Sequence, residues 1–206
     1  MNPELTPELV LRGYAAGAFP MADPDGEIYW FSPDPRGIFE LDAFRVPRSL
    51  RPVINQRRFD VRINTCFADV IAACADRAEG TWISDAIIDV YVQLHLWGFA
   101  HSVECWRDGE LAGGLYGVAL GGAFFGESMF HRQTDASKVA LVMLVERLRA
   151  RRFTLLDTQW PTPHLRRFGA VEIPRDEYMR RLRAALELDR CFADEANDAG
   201  ADRFGV

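Results

Sequence analysis

The chain lacks the sequence signatures of the common cofactor-dependent enzymes. Its 206 residues contain no G-x-x-x-x-G-K-[ST] loop, no G-x-G-x-x-G after a strand, no H-E-x-x-H and no G-x-S-x-G. The four cysteines have neither C-x-x-C spacing nor histidines at zinc-ligand spacing. We therefore expect no metal and no cofactor. The chemistry that remains is group transfer from an already activated donor, which requires a cleft, positioning and one proton acceptor.

Long apolar segments are also lacking. No run approaches the roughly 18 apolar residues of a membrane span, and no charged-then-apolar leader opens the chain. The cysteines are most simply read as reduced thiols. These features predict a cytoplasmic protein with no membrane partner.

Lysine is nearly absent, since Lys138 is the one lysine among 24 lysine and arginine residues. The compact ammonium group of lysine is therefore expected to fit at position 138, where the larger planar guanidinium group of arginine does not. The net charge of −6 argues against wholesale coating of nucleic acid, but arginines cluster locally. Such a cluster suits a contact with a nucleic-acid backbone, or else is a solvated surface. The candidates are Arg45, Arg48, Arg51, Arg57 and Arg58.

The order of elements predicts an α+β fold. Thr6 and Ser84 are predicted to cap helices, and a hairpin run is followed by a strand, a long helix from Asp135 and another strand. Such a crossover gives one parallel pair in a mixed sheet, which is the plan of an acetyltransferase-like fold. We predict a small N-terminal subdomain at 1–38, the acetyltransferase-like catalytic domain at 39–190 and a disordered tail at 191–206.

One carboxylate lies in a glycine-rich strand. Strict alternation would place Phe125, Glu127 and Met129 on one face, so Glu127 is predicted to be poorly solvated. Burial would raise its pKa unless a partner holds it ionised. The alternative is a structural carboxylate that accepts backbone N–H groups.

A second polar pair lies near the end of the strand at 154–159. Asp157 and Gln159 are predicted to share a face with Leu155, at the edge where open sheets bind ligands. If this strand is parallel to the strand of Glu127, then Glu127 and the pair of Asp157 and Gln159 can reach the same crevice. A lone strand aspartate is otherwise an edge or turn residue.

Several motifs appear in the order found in the leucyl/phenylalanyl-tRNA–protein transferases, and the resemblance runs from about 7 to 186. The most specific are F-G-E-S-M-F at 125–130 followed by A-S-K at 136–138. The others are W-F-S-P-D-P-R at 30–36, T-W-I at 81–83, A-H-S-V-E-C-W at 100–106, G-G-L-Y-G at 113–117, and L-D-T-Q through F-G-A at 156–170. The resemblance implies a small N-terminal domain on an acetyltransferase-like domain. Some members have Trp where this chain has Met21.

The family resemblance also implies a reaction. Leucine or phenylalanine, sometimes methionine, passes from its charged tRNA to the N-terminal amine of a protein that begins with Arg or Lys. That product is marked for N-degron proteolysis. The aminoacyl ester is already activated, so the amine need only lose a proton and be held against the carbonyl. We expect the enzyme to act as a monomer.

Residue roles follow from the same resemblance. Asp157 would orient Gln159, whose carbonyl oxygen would draw a proton from the ammonium, and Glu127 would hold the acceptor. Trp82 would stack on the terminal adenosine. The arginines at 45–58 would contact the tRNA backbone. The pocket for the leucyl or phenylalanyl side chain would be lined by Leu115, Phe124, Leu141, Leu144 and Leu156, some of which are expected to be ordinary core.

Three other functions stay open. The same donor could serve a cell-wall precursor, a lipid or a small amine, since the acceptor is the part that the sequence constrains least. An acyl-CoA acetyltransferase is disfavoured, because Asp135 stands where that class needs the first glycine of its loop. A non-catalytic adaptor for basic N-termini or tRNA ends would bind without turnover.

Overall fold

The protein is described by a computed structural model over residues 5–194. Its helices are Pro7–Ala15 (α1), Arg51–Asn55 (α2), Phe67–Ala75 (α3), Asp85–Leu96 (α4), Ala136–Ala150 (α5), Pro163–Arg166 (α6) and Arg175–Leu186 (α7). Its strands are Phe19–Ala22 (β1), Ile28–Phe31 (β2), Arg36–Phe39 (β3), Asp60–Ile63 (β4), Ala100–Arg107 (β5), Glu110–Leu120 (β6), Ala123–His131 (β7), Leu155–Gln159 (β8) and Ala170–Ile173 (β9). No helix in this part of the chain is long and apolar enough to cross a membrane.

Side-chain caps begin two helices as the sequence predicts. The Thr6 hydroxyl accepts the Leu9 N–H at 3.3 Å, and Pro7 takes the first helical position. The Ser84 hydroxyl accepts the Ile87 N–H at 3.4 Å. Both caps satisfy N–H groups that the helix itself leaves free.

The main sheet has seven strands in the order β4-β5-β6-β7-β8-β3-β9. Its pairs are antiparallel except for β7 and β8, which are parallel and joined by α5. This confirms the predicted α+β class, mixed sheet and crossover. Strands β1 and β2 form a separate two-stranded sheet.

Each face of the large sheet carries its own apolar core. On one face α5 and the segment around α2 pack with Phe124 and Leu156. On the other face α1, α3, α4 and α7 pack with Phe125 and Leu155. Neighbouring residues of β7 and β8 thus point to opposite cores, as strand geometry requires.

Strand β3 is an element that the sequence analysis does not predict. All four of its residues are buried, and it lies between β8 and β9. The predicted boundary between 38 and 39 therefore falls inside this strand. A four-residue strand buried on both faces shows no alternation, which is why the pattern does not reveal it.

The C-terminal segment is described as far as 194. Phe192 is buried, with its ring 4.6 Å from His101 and 5.0 Å from Phe124 between centroids. The remainder of the predicted tail, 195–206, lies outside the described residues.

A β-bulge interrupts the pairing of β6 with β7. Tyr116 pairs with Ser128 and Gly117 with Gly126, so Glu127 is an extra residue on β7. The bulge changes the alternation: Phe125 packs with the α1 side of the sheet, whereas Met129 packs with the α5 side. The expectation that these two residues share a face with Glu127 is therefore wrong for Met129.

We predict that Gly117→Ala destabilises the protein by about 1–3 kcal/mol or more. A Cβ at 117 would overlap the carbonyl oxygen of Phe125 and the ring of Phe124, beside the bulge. Its cross-strand partner supplies the control, because a Cβ at Gly126 would meet nothing closer than 3.5 Å. Urea unfolding of both variants measures the effect. Equal midpoints for Gly117→Ala and Gly126→Ala would contradict this account of the bulge.

Candidate active site

A cavity opens where β7 and β8 separate. The two strands pair only from Ala123 with Leu155 to Phe125 with Asp157. Beyond these pairs β7 bulges at Glu127, and β8 ends at Gln159, whose φ is 56°. The space between them is about 410 Å³, within the range of small-molecule sites.

Glu127 and Gln159 meet at this cavity. The Gln159 Nε2 donates to Glu127 Oε1 at 3.1 Å, so Gln159 and Glu127 meet in one crevice as predicted, whereas Asp157 does not line it. Burial raises the pKa of Glu127 to about 8, and the charge of Asp157 adds to the increase. Hydrogen bonding by Tyr14 and Gln159, together with the charge of Arg36, opposes it.

Glu104 shows what a purely structural carboxylate looks like in this fold. It is fully buried and accepts the Thr65 N–H at 2.8 Å, the Cys66 N–H at 3.0 Å and the Ser102 hydroxyl at 2.7 Å. Glu127 is only half-buried and faces the cavity. The structural alternative therefore fits Glu104 and does not fit Glu127.

Asp157 lies behind the cavity in a buried ion pair. Arg36 donates through Nε to Oδ1 at 2.9 Å and through Nη2 to Oδ2 at 2.6 Å. The Tyr178 hydroxyl donates to Oδ2 at 2.7 Å, and the Gln159 backbone N–H donates to Oδ1 at 2.8 Å. Asp157 is not among the cavity-lining residues, so its direct action is on the conformation of Gln159.

Arg36 is the partner that sequence reasoning missed. It has no solvent exposure, its guanidinium lies 4.9 Å from the Phe19 ring and 4.5 Å from the Tyr178 ring, and its Nη1 donates to the Gly17 carbonyl at 3.0 Å. The available signals were the place of Arg36 at the end of the W-F-S-P-D-P-R motif and the apolar pair Ile38 and Phe39 that begins two residues later.

The apolar end of the cavity contains four of the five residues predicted for a side-chain pocket. These are Leu115, Leu141, Leu144 and Leu156. Phe124 is absent from the lining. It is buried and packs against Phe192, because its position on β7 points into the core beside α5. Phe124 therefore backs the site without facing it.

Aromatic residues line the mouth of the cavity. Trp82 reaches it, as do Phe19 and the exposed Trp160. The Trp160 ring is edge-on to Phe19 with centroids 5.3 Å apart. Trp160 was not predicted, although it directly follows Gln159 in the sequence. Met21 lines the same region.

Arg77 is another lining residue that was not predicted. Its Nη2 donates to the Ser128 hydroxyl at 2.9 Å and to the Met129 carbonyl at 3.2 Å, and its Nε donates to the Cys74 carbonyl at 3.1 Å. These contacts fix α3 against the bulged part of β7.

The five arginines predicted to contact a nucleic-acid backbone lie elsewhere. All are exposed, and none forms an ion pair within the described residues. Arg45, Arg48 and Arg51 line a surface groove with Val142 and Met143 of α5. None of the five lines the cavity of Glu127.

This geometry defines a class of protein. A carboxyl group with a pKa near that of an amine, at the polar end of an apolar cavity, suits acyl transfer to an amine. Sequence comparison then identifies the family. The profile described as leucyl/phenylalanyl-tRNA protein transferase matches residues 38–183, and that of its N-terminal domain matches 3–34.

Curated relatives with the name leucyl/phenylalanyl-tRNA–protein transferase are similar over nearly their full length. That of Akkermansia muciniphila is 57% identical over 191 residues, covering 91% of this chain and 99% of that protein. Those of Salinibacter ruber and Gloeobacter violaceus are 54% and 59% identical, covering 98% and 89% of this chain and 89% and 95% of those proteins. The chain therefore belongs to the leucyl/phenylalanyl-tRNA protein transferase family and is an aminoacyltransferase, which confirms the resemblance.

Among solved structures the chain is similar to that of L-PGS from Bacillus licheniformis. The TM-score is 0.43 at 13% identity, over 73% of this chain and 49% of that chain. A similarity at this level does not assign the fold.

We predict that Arg36→Leu lowers the free energy of unfolding by about 3–5 kcal/mol, because it leaves the Asp157 carboxylate buried and unpaired. Arg180→Leu removes an ion pair from an arginine that is 71% exposed and is expected to cost no more than about 1 kcal/mol. Chemical unfolding compares the two variants. A similar loss in both would contradict the burial argument.

Glu127 also predicts a pH dependence of stability. Its pKa is about 8 in the folded protein and about 4.3 in the unfolded chain, so between these values the folded state binds more protons. The contribution of Glu127 to the free energy of unfolding is therefore fully present below about pH 4 and is lost as the pH rises through about 8.

We expect Glu127→Gln to remove this decrease in stability, because the amide does not ionise. The variant should therefore be more stable than the wild type above pH 8. Unfolding measured across the pH range tests it, with Glu110→Gln, an exposed acid, as the control. If the stability of Glu127→Gln depended on pH in the same way as that of the wild type, the pKa of the Glu127 carboxyl would not be raised in the folded protein.

Proposed function

We propose that this protein transfers leucine, phenylalanine or methionine from charged tRNA to the N-terminal amine of proteins that begin with Arg or Lys. The observation that carries the proposal is the desolvated carboxyl of Glu127 at the polar end of a leucine-lined cavity, in a chain of the transferase family. We further propose that the product is a substrate of N-degron proteolysis.

The apolar end of the cavity suits the donor side chain. Leu115, Leu141, Leu144 and Leu156 offer no polar group, so they would discriminate mainly by size. A pocket of this kind accepts more than one apolar amino acid. Trp82, at the mouth, would stack on the terminal adenosine.

Glu127 suits the acceptor amine. A free N-terminal amine has a pKa of about 8, close to that of Glu127, so a proton passes between them at little cost. A cationic acceptor beside the carboxyl would also lower the pKa of Glu127 and restore its charge. This favours acceptors with a positive first side chain.

The transfer step then follows from positioning. The ammonium gives a proton to Glu127, and the neutral nitrogen attacks the ester carbonyl carbon. The peptide bond forms as the carbon–oxygen bond to the tRNA ribose breaks. The nitrogen gives its second proton to the departing ribose oxygen, and Glu127 releases the first proton to solvent. Gln159, held by Asp157, would orient the amine, because an amide oxygen is too weak a base to act alone.

The organisation of the chain is also part of the proposal. We infer an acetyltransferase-like sheet, because β7, α5 and β8 form the parallel crossover that flanks the cavity. Residues 1–38 would form the small N-terminal subdomain and 39–190 the catalytic domain. The exposed arginines at 45–58 would hold the tRNA backbone. We also propose that the protein acts as a monomer, and charged tRNA as donor supports a cytoplasmic location.

The test is transfer of radiolabelled leucine from leucyl-tRNA to peptides that differ only in beginning with Arg, Asp or Met. We expect label on the Arg peptide. Glu127→Ala and Asp157→Asn should reduce kcat/KM by at least about 10²-fold, since one loses the proton acceptor and the other the support of Gln159. Glu110→Ala serves as the matched control.

Other outcomes separate the remaining alternatives. Binding of leucyl-tRNA without label on any peptide would favour a non-protein amine as acceptor. Binding of the Arg peptide without turnover would favour an adaptor. If the protein neither binds leucyl-tRNA nor transfers leucine, the proposal is wrong.

A further inference from the structure

A second, smaller pocket adjoins the cavity of Glu127. Its volume is about 260 Å³, and it shares Met129 and His164 with the larger cavity. Its other lining residues are His131, Thr134, Asp135, Ser137 and Lys138, at the start of α5. The proposed reaction gives these residues no role.

The first turn of α5 has free hydrogen-bond donors. The N-cap residue Asp135 makes no side-chain cap, and the first bonds at this end are from Ala136 N to Gln133 O and from Val139 N to Asp135 O. Within the described residues, nothing accepts the backbone N–H groups of Ser137 and Lys138. Such groups at the start of a 15-residue helix favour an anion.

Ser137 is an independent sign of a ligand. It is only 6% exposed and lines the pocket, and its hydroxyl has no hydrogen-bond partner within residues 5–194. The hydroxyl oxygen remains accessible from the pocket. A bound anion would give it a hydrogen-bond acceptor.

The pocket also contains one ammonium group, that of Lys138. Lys138 Nζ donates to Asp135 Oδ1 at 2.6 Å, which fixes the ammonium and leaves it further N–H donors. Asp135 is the one acid in the lining, and it is already paired. Burial lowers the pKa of His164, and the charges of Lys138, Arg167 and His131 lower it further. An anion in the pocket would meet the Lys138 ammonium and the N-terminal end of α5.

We propose that this pocket binds the phosphate on the 5′ side of the terminal adenosine of the donor tRNA. The inference rests on the proposed function and deepens it. In the terminal nucleotide one ribose carries both the aminoacyl ester and that phosphate. A phosphate site must therefore lie directly beside the cavity that holds the ester, and the shared Met129 and His164 place this pocket there. The compact lysine ammonium fits beside Ser137.

The experiment uses two unreactive donor analogues, the leucine amide of 3′-amino-3′-deoxyadenosine with and without a 5′-phosphate. Calorimetry measures the dissociation constant of each for the whole protein. We expect the phosphate to tighten binding to the wild type by about 10-fold or more, with a gain that falls as salt rises. Lys138→Met and Ser137→Ala should bring the ratio of the two constants toward 1.

Arg180→Met is the control, because it removes one exposed positive charge that does not line the pocket and should keep the wild-type ratio. Ser137→Ala is conservative enough to keep the fold if Lys138→Met does not. Equal constants for the two analogues in the wild type would overturn the phosphate site. Tight binding of inorganic phosphate with no gain from the nucleotide phosphate would also overturn it.

Leucyl-tRNA transfer to the Arg peptide, run in parallel, separates this proposal from the proposed function. Transfer together with equal binding of both analogues would leave the transferase intact and remove only the phosphate site. If there is no transfer and neither analogue binds, both the proposed function and the phosphate site are wrong.

Discussion

The ion pair between Arg36 and Asp157 holds the active site together. It joins β3 to β8, and through Tyr178 and the Gly17 carbonyl it also joins α7 and the turn after α1. Two charges in the core are costly, and they persist because each nitrogen of the guanidinium and each oxygen of the carboxylate is hydrogen-bonded. The result is a fixed Asp157 oxygen that holds the Gln159 N–H and stabilises the left-handed conformation of that residue. The amide of Gln159 reaches Glu127 from this position.

The cavity follows from where two strands stop pairing. Parallel pairing of β7 with β8 ends after Phe125, and the bulge then turns Glu127 into the opening. Leucines from β6, α5 and β8 close the apolar end. The end of this pairing thus creates an apolar cavity with one acid, Glu127, among its lining residues. Under the proposed function, that arrangement would let one site hold an apolar acyl group and a charged amine.

Much of this arrangement could be predicted because it depends on residues near one another in sequence. The long helix after 135 requires a parallel crossover, and the crossover brings Asp157 and Gln159 to Glu127. The contact of Arg36 with Asp157 could not be predicted, because it spans 121 positions and β3 has no alternation. Strict period two failed at Met129, because a bulge shifts the alternation without leaving a sequence signal. Phe124 faces the core, because Phe192 supplies a contact from a segment read as a tail.

The bulge also constrains how the length of this chain can change. Because Glu127 is the extra residue on β7, loss of a single residue anywhere between 126 and 128 would restore continuous alternation. Phe125 and Met129 would then be three residues apart and would keep the faces that they have now, but no extra residue would remain to turn a carboxyl group into the opening. Substitutions in this strand alter one contact at a time, whereas this deletion would leave both cores in place and remove the geometry of the cavity. Loops elsewhere can vary in length, but the spacing between Phe125 and Met129 must stay fixed for the cavity to exist.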